Sequence, residues 1–170
     1  MNKKILIAGM ARQGKDSLCE ILRDKYGLTF ASSSYTAAEE FIFDKLKKEK
    51  HYQSVSQCFN DRHAGENRKL WFDLITEFNH EDPARLAKII TSKNDIYCGL
   101  RSKVELEECM KQGVFDLTFW VDASDRVSYR ESPDSITISA KDCMHIIDNN
   151  GTLDDLEAQA DKIYQMINLC

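Results

Sequence analysis

The motif G-x-x-x-x-G-K at residues 9–15 restricts this chain more than any other feature, because of what flanks it. It reads Gly9-Met10-Ala11-Arg12-Gln13-Gly14-Lys15, with Asp16 and Ser17 after it and the apolar run Ile5-Leu6-Ile7-Ala8 before it. Glycines let backbone N–H groups turn inward around a polyphosphate. Lys15 reaches its β- and γ-phosphates, and a helix starting there aims its positive end at the same charge. Gly9, Arg12, Gln13, Gly14, Lys15, Asp16 and Ser17 are therefore the expected nucleotide contacts. A Ser or Thr that holds Mg²⁺ usually follows the lysine. Here the residue is Asp16, whose carboxylate is an equally hard oxygen ligand and the expected metal contact. A nucleoside triphosphate is the ligand this pattern implies.

The 170 residues, 42% of them hydrophobic, suit one α/β domain, and no stretch reads as a linker or an internal repeat. No apolar run approaches membrane-spanning length, and Met-Asn-Lys-Lys leads into a strand rather than a cleavable signal, so no membrane partner is expected. Cys19, Cys58, Cys98, Cys109, Cys143 and Cys170 form no C-x-x-C pair, which favours reduced, buried thiols over disulfides or zinc. The net charge of −5 speaks against a general nucleic-acid coat, but it is uneven: residues 45–71 balance at +4 and the rest at −9. That basic segment interleaves His51, Tyr52, Phe59, His63 and Trp71, which can track a phosphate backbone or be a solvated helix face over core aromatics.

Strands are expected at Lys4–Ala8, Leu28–Ala31, Asp95–Cys98, Phe115–Val121 and His145–Asp148. Helices are expected at 16–26, 36–50, 70–79, 82–92, 102–112 and 152–169, with Asp82 and Thr152 as N-caps. Short apolar strands alternating with helices imply a five-stranded parallel sheet covered on both faces, with ligands beyond the strands' carboxyl ends. Those ends carry the phosphate loop, then Ser32-Ser33-Ser34-Tyr35, Gly99-Leu100-Arg101-Ser102 with Glu105 one turn on, Asp122–Glu131, and Asp148-Asn149-Asn150-Gly151-Thr152. Five polar junctions on one sheet edge read as a nucleotide site.

With these residues in place the chain resembles phage P-loop kinases over nearly its whole length. Gly14-Lys15-Asp16-Ser17 is similar to the Gly-Lys-Asp-Thr loop of phage deoxynucleoside monophosphate kinases. Gly99-Leu100-Arg101 with Glu105 resembles their arginine turn, and Ile146-Ile147-Asp148-Asn149-Asn150-Gly151-Thr152 resembles their last strand and loop. That resemblance implies a three-layer P-loop kinase fold, ATP and Mg²⁺ as cofactors, a role for Arg101, and Asn150 and Gly151 beside the adenine. The likeness extends to phage kinases acting on 5-hydroxymethyluracil in DNA. It is carried by Ser32-Ser33-Ser34, by Cys58-Phe59-Asn60-Asp61-Arg62 leading into Trp71-Phe72-Asp73-Leu74-Ile75, and by Trp120-Val121-Asp122-Ala123-Ser124. It implies modified DNA as acceptor, in the cytoplasm of a bacterial host, with a deoxynucleoside monophosphate as the alternative.

On that reading residues 36–92 are a helical acceptor-binding segment and residues 123–137 a short lid. Arg126 and Arg130 close over the triphosphate as lid arginines do. Ser32, Ser33, Ser34, Arg62, Arg68 and Trp71 meet the acceptor. A hydroxymethyl acceptor profits from a carboxylate that takes its proton, and Asp61, beside Arg62 and near Arg68, is the candidate; the other reading of Asp61 is a helix N-cap. Trp71 reads either as a stacking platform or as core. A guanine-specific switch would need an N-K-x-D motif, and Lys93-Asn94-Asp95 has the wrong order.

Overall fold

The computed structural model describes residues 3–169; Met1, Asn2 and Cys170 lie outside the described residues. The chain begins with strand β1 (Ile5–Ala8), helix α1 (Lys15–Tyr26), strand β2 (Phe30–Ser32), helix α2 (Ser33–Ala37), a π-helical turn (Ala38–Ile42) and helix α3 (Phe43–Leu46). Helices α4 (Val55–Asp61), α5 (Asn67–Phe78) and α6 (Arg85–Lys93) precede strand β3 (Ile96–Cys98), helix α7 (Lys103–Lys111) and strand β4 (Leu117–Asp122). A 3₁₀ turn (Ala140–Asp142) leads to strand β5 (His145–Asp148) and helix α8 (Leu153–Leu169).

The strands form one sheet in the order β2-β3-β1-β4-β5, every pairing parallel. Alternation along each strand divides the core between two faces. Ile5, Ile7, Phe119 and Val121 pack against Leu18 and Leu22 of α1 and Leu156 and Ile163 of α8. Leu6, Ala8 and Trp120 face the other way, toward Ile42, Leu86, Ile90 and Leu106. The expected three-layer arrangement is therefore present, and the strand ends, phosphate loop included, share one edge of the sheet.

Local differences have identifiable causes. Helix α4 was not foreseen, although Ser54 and Gln57 spell a start: the Gln57 N–H donates to Ser54 Oγ at 3.1 Å, and Gln57 Oε1 accepts the Gln53 N–H at 2.7 Å. The helix expected over 36–50 begins at Ser33 and ends at Leu46, loosened by the π-helical turn. Ala84, not Asp82, is the N-cap of α6; Asp82, two residues earlier, accepts the Ala84 N–H on Oδ1 at 3.1 Å. Among the described residues Cys19, Cys58, Cys98 and Cys109 are buried free thiols, Cys143 is a half-buried one, and no helix is long and apolar enough to cross a membrane.

Candidate active site

The phosphate loop depends on two glycines. Gly9 has φ +149°, and a Cβ there would stand 2.7 Å from the Val121 carbonyl oxygen, where β4 passes close by. Gly14, the N-cap of α1, has φ +89°, and its Cβ would meet Asn149 Nδ2 at 2.2 Å. Between them Arg12 also adopts a left-handed conformation, φ +66°, which carries its guanidinium to 4.8 Å over the Tyr129 ring. Lys15 is buried and its ammonium donates to the Met10 carbonyl at 2.8 Å; burial lowers its pKa below the usual lysine value. Asp16 accepts the Cys98 thiol at 3.5 Å. Among the described residues no group of three His, Cys, Asp or Glu side chains can hold a metal. One carboxylate completed by phosphate oxygens and water is nevertheless how Mg²⁺ is commonly held, so Asp16 fits that ion.

A cleft of about 520 Å³ opens from the loop across the ends of β2 and β3. Arg12, Lys15 and Asp16 line one end, and Ser32, Ser33, Ser34, Arg62, Arg68 and Arg101 line the remainder, so nine of the residues expected from sequence meet here. The serines are not a freely exposed run. Ser32 caps α2 by accepting the Tyr35 N–H at 3.5 Å, and Ser33 is buried, donating to the Gly99 carbonyl at 2.9 Å. Arg62 lies 3.6 Å over the Phe59 ring and donates to the Phe59 carbonyl at 2.8 Å. Burial, then the neighbouring Arg68, bring Arg62 down to about 10, still charged at neutral pH. His63 also lines the cleft; desolvation, then Arg62, Arg68 and Arg101, push it down to about 4, so it is neutral at pH 7.

Glu131 organises the cationic wall. Its carboxylate, with no side-chain exposure, pairs with Arg68 at 2.5 Å and with Arg101, and accepts the backbone N–H of Ala11 at 2.6 Å. Burial alone would raise its pKa, but Arg101, the Ala11 N–H and Arg68 outweigh that and hold it below the usual carboxylate range. Sequence reading missed this role: Glu131 ends a polar loop, and nothing local marks a carboxylate that folds back onto the phosphate loop.

A second hollow, about 220 Å³, lies on the other flank of the loop, with Gly14, Ser17, Arg126, Asn149 and Gly151 in its lining. Asn149, also missed, is the tie: its Nδ2 donates to the Gln13 carbonyl at 2.9 Å, and its carbonyl accepts Arg126 Nε at 2.5 Å. Asn150 accepts the Asp125 N–H at 2.9 Å and donates to Asp148 Oδ1 at 2.7 Å, so it braces the start of the 123–137 loop. Arg126 thus lines this second hollow and is not among the residues lining the cleft. Arg130 is spent on carbonyls of its own loop, donating to Val127 at 2.6 Å and Tyr129 at 3.1 Å.

Asp61 is not among the residues lining either hollow. Its Oδ2 accepts the Tyr52 hydroxyl at 2.5 Å and Asn67 Nδ2 at 2.9 Å, which ties α4 to α5. It is the last residue of α4, so the N-cap reading does not apply; Glu66 stands at the N-cap of α5. Trp71 is buried, 4% exposed, and lines a small cavity behind the arginines.

No protein-family model matches the chain, and no curated protein sequence does. Solved structures match by shape. The chain is similar to shikimate kinase from Aquifex aeolicus (TM-score 0.50, 12% identity, 98% of each chain covered). It is equally similar to shikimate kinase from Bacteroides thetaiotaomicron (TM-score 0.50, 11% identity, 98% of each chain). With the parallel five-stranded sheet and the phosphate loop at β1, this likeness gives the chain the P-loop kinase fold.

Proposed function

We propose that the chain is an ATP-dependent phosphotransferase and that the 520 Å³ cleft holds the acceptor. The observation that carries this is the juxtaposition of Lys15 and Asp16 with three arginines, Arg62, Arg68 and Arg101, in one cleft. The γ-phosphoryl group passes through a loose transition state whose charge sits on its oxygens, so placement and cations matter most. Lys15 and the N-terminus of α1 neutralise the phosphates, and Asp16 is the residue that would hold Mg²⁺, which when bound adds charge neutralisation between the phosphates. The acceptor oxygen bonds to the γ-phosphorus as the bond to the ADP oxygen breaks. With Asp61 engaged elsewhere and His63 a weak base, held down to about 4 by burial and the arginines, the acceptor proton passes to an oxygen of the transferred phosphoryl group. The segment 36–92 supplies the acceptor wall, and the loop 123–137, held down through Glu131 and Asn150, is the lid that excludes water.

The acceptor that the sequence resemblance favours is the hydroxymethyl group of 5-hydroxymethyluracil in DNA, with the arginines on flanking phosphates. The second reading, a deoxynucleoside monophosphate, is favoured by the same arginines, since an ionised phosphate needs several cations and no base. Labelled γ-phosphate from ATP, offered in parallel to DNA containing 5-hydroxymethyluracil and to a deoxynucleotide pool, separates them. Label on the modified DNA supports the first, label on mononucleotides replaces it with the second, and label on neither removes the nucleotide acceptor altogether.

A further inference from the structure

Behind the arginines the cleft continues into a narrow cavity of about 40 Å³, room for roughly three water-sized groups. Trp71, Phe72 and Ile75 of α5, Tyr97 of β3 and Glu105 of α7 wall it, and Arg62 and Arg101 stand at both the cavity and the cleft. Two polar groups in this apolar setting are incompletely used. Trp71 Nε1 is fully buried and has no hydrogen-bond partner among the described residues, a state that native interiors rarely tolerate without a ligand or water to fill it. Glu105, 4% exposed, has the Tyr97 hydroxyl on Oε1 at 2.8 Å as its one side-chain hydrogen bond among the described residues, leaving Oε2.

We propose that this cavity is the ring subsite of the acceptor, taking the edge of an uncharged flat heterocycle whose carbonyl oxygen accepts Trp71 Nε1–H and whose second polar group meets Glu105. The proposal rests on the phosphotransferase reading for the word acceptor, not for binding itself. The cavity's size admits a ring edge and not a whole nucleotide, so sugar and phosphate stay in the arginine-lined cleft. Trp71, Phe72, Ile75 and Tyr97 offer a flat ring apolar and aromatic contact, while Ser34, Thr76, Ser102 and Ser135 supply hydroxyls to its polar edge. Burial keeps the Glu105 carboxyl up at about 8, so at neutral pH it is a protonated group able both to donate and to accept, as a cyclic amide edge requires.

The test is binding without ATP, using 5-hydroxymethyl-2′-deoxyuridine 5′-monophosphate as probe and ring-less deoxyribose 5-phosphate as its control. Calorimetry on the whole chain should show Trp71→Phe and Glu105→Leu each weakening the nucleotide at least about 5-fold, while Glu105→Gln, which still donates and accepts, stays near the parent. The control should bind weakly and be unaffected by any of these changes. In the unmodified protein the indole N–H resonance of Trp71, assigned against a Trp120→Phe variant, should move downfield with the nucleotide only. That readout keeps the test decisive if the variants fold poorly. An unmoved indole resonance, or equal binding of probe and control, overturns the subsite. A moving resonance with no phosphate transfer to the bound nucleotide or to DNA leaves the subsite standing as a binding site and removes the nucleotide-acceptor reading instead.

Discussion

The Glu131 carboxylate accepts the backbone N–H of Ala11 at 2.6 Å, fastening the loop after β4 to the phosphate loop. Because the same carboxylate pairs with Arg68 and Arg101, one side chain sets both the loop and two cations of the cleft wall. Glu131→Ala leaves two arginines facing each other without their counter-ion. It should cost about 2–4 kcal/mol of stability and raise the KM for the acceptor more than that for ATP. Glu131→Gln keeps an acceptor for Ala11 and should recover part of the stability but little of the acceptor affinity. Denaturant titrations and paired KM values check this; a Glu131→Ala protein as stable as its parent would remove the bridging role.

Lys15 is expected to behave in the opposite way. It is buried, its pKa is lowered by that burial, and its present partner is one carbonyl, so it adds little to stability. Lys15→Met should lower kcat by at least about 100-fold, the scale for removing a charge aimed at the transition state. Its melting temperature should stay level or rise. A kcat within a few-fold of the parent would mean that the phosphates lie elsewhere.

Asn149 and Gly14 make a matched pair, since the space beside the Gly14 Cα is filled by Asn149 Nδ2. Gly14→Ala brings both a strained φ and a clash with that nitrogen, and should abolish ATP binding. Asn149→Ala removes the tie to the Gln13 carbonyl and should raise the KM for ATP roughly 5- to 30-fold, about 1–2 kcal/mol, with kcat changed much less. If Asn149→Ala lowered kcat and left the KM alone, the second hollow would not be the nucleoside side.

How much of this was readable beforehand follows from the range of the interactions. Residues 9–17 announce the phosphate loop because strand, turn and helix are contiguous, and Ile5–Ala8 and Leu117–Asp122 announce buried parallel strands by composition alone. Arg62, Arg68 and Arg101, which share the cleft, stood out in the sequence as a basic patch beside Asp61 and as an arginine turn after β3. Glu131 and Asn149 escaped because their partners, Ala11 and Gln13, are backbone groups 120 and 136 residues away. Asp61 misled for the converse reason: its basic neighbours suggested a catalytic carboxylate, whereas Tyr52 and Asn67, nine and six residues away, hold it.

That placement of Asp61 makes a prediction of its own. Asp61→Ala strands the Tyr52 hydroxyl and the Asn67 amide between α4 and α5 and should lower stability by about 1–3 kcal/mol. At a temperature where the variant is folded, kcat should remain within about 3-fold of the parent. A loss of several hundred-fold in kcat with unchanged melting would return Asp61 to the catalytic role.

The two buried carboxyls should give stability opposite dependences on pH. Glu105 has a folded pKa of about 8, raised by burial above the ordinary 4.5. Between those values the folded chain keeps a proton that the unfolded chain has released. Its contribution is therefore fully present below about pH 4.5 and is lost as pH rises to 8, by at most about 1.4 kcal/mol per unit. Glu131, held below the ordinary value, contributes above about pH 4.5 and loses that contribution as pH falls through its folded value. Glu105→Gln should thus gain on the parent steadily from pH 5 to pH 8, while Glu131→Gln should fall behind the parent least at the acid end. Melting temperatures of the three proteins from about pH 3 to pH 8 read both slopes, the Glu131 one below about pH 4.5. A Glu105→Gln difference that stays flat would mean the Glu105 carboxyl is ionised in the folded chain, with water or a cation reaching the cavity behind the arginines.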